Sequence, residues 1–159
     1  MPDVTQPRPQ IYAGLFLVTL ATLMHEILLT RIFSVMMWYH FAFMAISVAM
    51  FGMTVGAIVV YLRPHSYTRE RAPHQLAVNS LAYAVTALVA FLIYLRIPFI
   101  GDGSLRGTGL LALSYVVISV PFVFSGIVVS IALTKFPKHV SKLYGADLLG
   151  AALGCIALI

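Results

Sequence analysis

The chain has 159 residues, 61% of them hydrophobic and only 9% charged, with ten Lys and Arg against five Asp and Glu. Soluble domains carry about 25% charged residues, so this composition excludes an ordinary soluble enzyme and points to an integral membrane protein. The single cysteine excludes a disulfide framework, and the net charge of +5 sits in short loops between apolar runs, which fits membrane topology and anionic head groups rather than nucleic acid.

Residues 1–10, MPDVTQPRPQ, form a polar N-terminal segment that lacks the cleavage pattern of a secretory signal. The first apolar run, 11–33, is long enough to cross the roughly 30 Å hydrocarbon core of a bilayer as a helix. It carries His25, Glu26 and Arg31 inside it. Ionisable groups at that depth cost a few kcal/mol each and are kept facing other helices, one another or a water-filled cavity. The His25-Glu26 pair therefore marks the inside of a bundle, as a structural anchor or as a site for a substrate, proton or ligand, while Arg31 reaches for the far interface.

Trp38, Tyr39 and His40 follow between two apolar runs, as an aromatic belt at the head groups or a mouth above the His25-Glu26 level. The second span, 41–62, holds Gly52 and Gly56 in a GxxxG pattern continued by Ala45 and Ala49, a face that a neighbouring backbone can approach. The polar loop from Arg63 to His74 is bracketed by Pro64 and Pro73, which suit a helix stop and restart. Within the third span, 76–95, Asn79, Ser80 and Thr86 are candidates to meet Glu26 or Asp147, although Ser and Thr also satisfy carbonyls of their own helix.

The loop 96–107 contains IGDG at 100–103, similar to the glycine-rich turn of a nucleotide site. Such a turn needs a strand before it and a helix after it, so between two spans it reads as a loop. The fourth span, 108–133, carries Pro121 at its middle, which predicts a kink with Ser119 or Ser125 helping to satisfy the freed backbone groups. A second basic loop, 135–142, leads into a fifth span at 143–159, with Tyr144 and Asp147 near its start and a small-residue stripe at Ala146, Gly150 and Gly154 that predicts close helix packing. Asp147 is placed to interact with the helix dipole and with Lys142. A cytoplasmic N-terminus puts seven Lys and Arg inside and Arg31, Arg96 and Arg106 outside, as the positive-inside rule favours. The expected architecture is all-α: a polytopic bundle of about five transmembrane helices over 11–159, in a bacterial cytoplasmic membrane, cut off in its last helix before a soluble domain.

Two stretches carry a family resemblance. The E-x-x-x-T-R element from Glu26 to Arg31, with Phe41, Met50, Gly52, Met53, Gly56 and Ala57 after it, resembles the first two spans of bacterial spermidine synthase-like membrane proteins. The run Tyr144, Ala146, Asp147, Leu148, Gly150, Ala151 and Gly154, after its basic loop, resembles their later spans. The resemblance implies membrane helices joined to an S-adenosylmethionine-type domain akin to polyamine aminopropyltransferases. No glycine-turn βα unit or acidic amine-binding pair lies in this chain, so the implied chemistry belongs to a missing domain and no catalytic residue is assigned.

Three functions follow as expectations. The first is a non-catalytic membrane domain that anchors, or supplies substrate to, that missing domain, with Glu26 and Asp147 as counter-charges for an amine. The second is a small carrier for a cation, amine or proton using His25, Glu26 and Asp147, and the third is an accessory subunit or homo-oligomer of a larger membrane complex. No cofactor is implied. No metal site is implied either, because His25 and His40 lie far apart and HEILL lacks the second histidine of a zinc helix.

Overall fold

A computed structural model describes residues 9–36, 42–98 and 104–158. Five α-helices make up the described chain: α1 (Pro9–Met36), α2 (Ala42–Leu62), α3 (Ala72–Tyr94), α4 (Leu105–Lys135) and α5 (Val140–Ile156). A 3-10 turn, Pro137–His139, connects the last two. Four of them, α1 to α4, are long and apolar enough to cross a membrane. The fifth has 17 residues, a length of about 25 Å at 1.5 Å per residue.

The helix ends have local causes. Pro73 stands in the first turn of α3, where its missing N–H is no loss. Ser104 caps α4: its hydroxyl accepts from the Gly107 N–H at 3.0 Å, so this helix begins earlier than the apolar run alone suggests. Lys135 in the last turn of α4 complements the dipole, and Pro137 blocks continuation. Trp38, Tyr39, His40 and the IGDG turn lie outside the described residues.

The centre of the bundle is α4, which packs against α2 and α3 and touches α1, while α5 lies along α1. Glycines set the two closest approaches. A Cβ on Gly52 would stand 2.6 Å from the Ser119 carbonyl oxygen, and one on Gly56 would fall on that of Val123. From the other side, a Cβ on Gly126 would strike the Met53 backbone. On α5, Gly150 faces Phe16 and Thr19, and Gly154 faces Leu20. Close backbone approach of this kind replaces the hydrophobic driving force that lipid-embedded helices lack.

The same contacts fix direction. Numbers rise together in the α2–α4 pair and in the α1–α5 pair, so each pair is parallel. Phe33 meets Tyr94 while His25 meets Tyr83, so α1 and α3 are also parallel. Thr22 meets Ser125 while Phe33 meets Tyr115, so α1 and α4 are antiparallel. Helices α1, α3 and α5 thus run one way and α2 and α4 the other, which brings the 63–71 loop and the 136–139 turn to one end of the bundle.

Two apolar clusters fill the interior. One, at the basic end, gathers Leu15, Val60, Leu76, Val128, Ile131 and Leu143, and the other gathers Leu29, Phe33, Ala45, Tyr94, Ile118 and Phe122. The outward faces are apolar as well: Phe43, Met50, Leu81, Leu88 and Val116 are all more than 60% exposed. A water-soluble surface does not carry such a continuous apolar coat, whereas a bilayer covers it.

Candidate functional site

Between the two apolar clusters lies a buried polar group built from α1, α3 and α4. The inward stripe of α1 reads Leu15, Val18, Thr22, His25, Leu29 and Phe33, at three- and four-residue steps that keep one helix face inward. Thr22 donates to the Val18 carbonyl at 2.7 Å, and its oxygen stands 2.7 Å from the Ser125 hydroxyl. Having spent its one proton on the carbonyl, Thr22 accepts from Ser125. Tyr83 closes the group from α3, its hydroxyl beside Thr22.

One turn further along α1, the His25 ring stacks on Phe122 with 5.1 Å between centroids and 12° between planes. The Tyr83 ring meets it at 6.5 Å and 61°. Among the described residues, the buried His25 Nδ1 has no hydrogen-bond partner. A buried polar atom left so costs about 1–3 kcal/mol, which singles it out as a position that a hydrogen-bonding partner would satisfy.

Glu26 points elsewhere. Successive helix residues diverge by about 100°, and Glu26 shares the face of Thr19, two turns earlier. Thr19 looks at α5, where its hydroxyl reaches the Asp147 carbonyl oxygen at 3.2 Å. The Glu26 side chain is half-buried, and no hydrogen bond or counter-charge to its carboxylate is found among the described residues. Asp147 is likewise half-buried, and it enters the α1–α5 seam through its backbone oxygen. It stands at the level of Thr19, about 10 Å below Glu26 along the α1 axis, so the two carboxylates do not form one site.

The remaining candidates disperse. Arg31 is exposed and donates to the Leu158 carbonyl oxygen at 2.6 Å, tying the end of α1 to the end of α5 rather than pairing with Glu26. Tyr144 is exposed on α5. Tyr39 and His40 fall outside the described residues. Asn79 bonds the Gln75 carbonyl and Thr86 the Ala82 carbonyl, both within α3, so neither reaches Glu26 or Asp147. Near Pro121, Ser119 bonds the Val116 carbonyl at 2.8 Å, while Ser125 serves Thr22 across the helix interface.

Thr22 and Tyr83 are not singled out by the sequence, and Ser125 is singled out there only as a helper for Pro121. The available signal was the step from Thr22 to His25, which puts both on one side of α1. Among the described residues no three His, Cys, Asp or Glu side chains come together in a way that would hold a metal ion. Comparison with protein families, with characterised proteins and with solved structures finds no match to this chain.

Proposed function

We propose that this chain is a non-catalytic membrane domain, crossing the bacterial cytoplasmic membrane with all five helices and keeping its N-terminus and its basic end in the cytoplasm. The observation that carries this reading is the alternation of helix direction. It gathers Arg63, Arg69, Arg71, Lys135, Lys138 and Lys142 at one end of four bilayer-length helices. At 17 residues α5 is at the lower limit of a spanning length, and its close, parallel seam with α1 supports its inclusion. Retention of the protein in membranes after an alkaline carbonate wash supports the embedding; release into the supernatant contradicts it.

The role is that of anchor or substrate supplier to an S-adenosylmethionine-type domain of the spermidine synthase-like kind. Support for this part is the motif resemblance at Glu26–Arg31 and Tyr144–Gly154 alone. Coding sequence for a glycine-rich βα unit downstream of codon 159 supports it, and a stop codon there counts against it.

A second reading, an amine or proton carrier, is favoured by two observations on different faces of α1: among the described residues the half-buried carboxylate of Glu26 has no counter-charge and the buried Nδ1 of His25 has no partner. Uptake of a labelled polyamine by liposomes containing the protein, above that of empty liposomes, supports it. Uptake equal to that of empty liposomes removes it.

A further inference from the structure

The first two turns of α1 and α3 do not close on each other. Between them a cleft of about 320 Å³ runs from Gln10 and Pro73 inward past Gly14 and Leu76 to Leu15 and Ser80, floored by Val128 of α4. It opens sideways. A Cβ on Gly14 would meet no atom within 4 Å, and Ala77 on the opposite wall is exposed. Its walls are mostly apolar, with Gln10 and Ser80 as the polar lining residues, and its depth of about two helical turns, roughly 10 Å, matches the upper part of an acyl chain.

Charge identifies the kind of molecule. The cleft begins at the end of the bundle that carries Arg63, Arg69, Arg71, Lys135, Lys138 and Lys142 in and beside its loops, against the single acid Glu70 among the described residues of those loops. Cations near a membrane surface attract anionic head groups. Neither the cleft nor the charge alone selects a lipid; a mostly apolar slot that starts at the basic end of the bundle does.

We infer that the α1–α3 cleft binds one acyl chain of an anionic phospholipid, whose phosphate lies at the basic end of the bundle. This inference rests on the membrane-spanning reading, and it adds a specific lipid position to it. Gln10, in the first turn, stands at the level of the ester groups, and the chain lies along Leu76 and Leu15 over Val128.

The test is photo-crosslinking in phosphatidylcholine vesicles doped with a phosphatidylglycerol that carries a diazirine early in one acyl chain. A phosphatidylcholine with the same diazirine is the control probe. The phosphatidylglycerol probe is expected to label Gly14, Leu76 and Ala77 above the level of Leu81 and Leu88, which face outward on the same α3. The double variant Gly14→Leu, Ala77→Leu fills the cleft with little disturbance, because neither position is enclosed, and should lose the cleft labelling while keeping that at Leu88. Equal cleft labelling by the zwitterionic probe overturns the anionic class. Labelling spread evenly over α3, or unchanged in the filled variant, overturns the cleft. Release of the protein from the vesicles by a carbonate wash would instead sink the membrane reading, and this inference with it.

Discussion

The Thr22 and Ser125 hydroxyl oxygens meet at 2.7 Å in the middle of the bundle, fastening α1 to the central helix at a point where neither side chain touches solvent. Thr22→Val leaves the Ser125 hydroxyl buried without this partner and should destabilise the fold by about 1–3 kcal/mol. After Ser125→Ala the Thr22 hydroxyl keeps its bond to the Val18 carbonyl, so that variant should lose less. The double variant should recover part of the loss, with a coupling of about 0.6 kcal/mol and no more than about 1.7. A double-mutant cycle of unfolding in mixed detergent measures this; strictly additive losses would show that the two hydroxyls do not interact.

Two glycines on α5 make opposite predictions. Gly150 faces the Phe16 carbonyl and the Thr19 side chain, whereas a Cβ on Gly145 meets nothing within 4 Å. Gly150→Leu must push α1 and α5 apart and should cost about 1–3 kcal/mol. Gly145→Leu should be neutral or stabilise by up to about 1 kcal/mol, because glycine is a poor helix former. Thermal unfolding of the two variants side by side decides the matter, and similar losses would contradict the seam described for α1 and α5.

His25→Phe tests what the orphaned nitrogen is for. Phenylalanine keeps the stack on Phe122 and removes the buried Nδ1 that has no partner. A purely structural histidine gives a variant at least as stable as the parent, by up to about 1–3 kcal/mol. In the carrier reading the same variant loses polyamine uptake while remaining folded. Glu26→Gln should also fold, and in that reading it alters uptake; a Gln variant with unchanged folding and uptake would show that Glu26 is not a functional charge.

Much of the architecture is legible from run lengths. Apolar stretches of twenty or more residues separated by basic loops leave few alternatives to membrane-length helices. The glycine stripes are also visible in the sequence, but their partners are not. Gly52 and Gly56 of α2 pack against α4, and Gly150 and Gly154 of α5 against α1, and spacing on one helix says nothing of which neighbour uses it. Nor does periodicity show which side faces inward. These helices are apolar nearly all round and lack the polar face that marks the outside of a soluble helix.

For that reason the polar cluster emerges only in three dimensions. Adjacent in sequence, His25 and Glu26 read as one site, yet the turn of the helix sends the first to α3 and α4 and leaves the second on the face shared with Thr19. Ser125 reads as a helper for Pro121 and instead serves Thr22.

Sided labelling tests the central claim most directly. With Cys155 changed to Ser, single cysteines at Ser66, Lys138 and Arg96 place one probe in each basic connection and one at the opposite end of α3. In intact spheroplasts, a membrane-impermeant maleimide should label Arg96→Cys alone, and Ser66→Cys and Lys138→Cys should react only after the membrane is opened. Reaction of Ser66→Cys and Lys138→Cys on opposite sides of the membrane would contradict the alternation of helix directions and the account built on it.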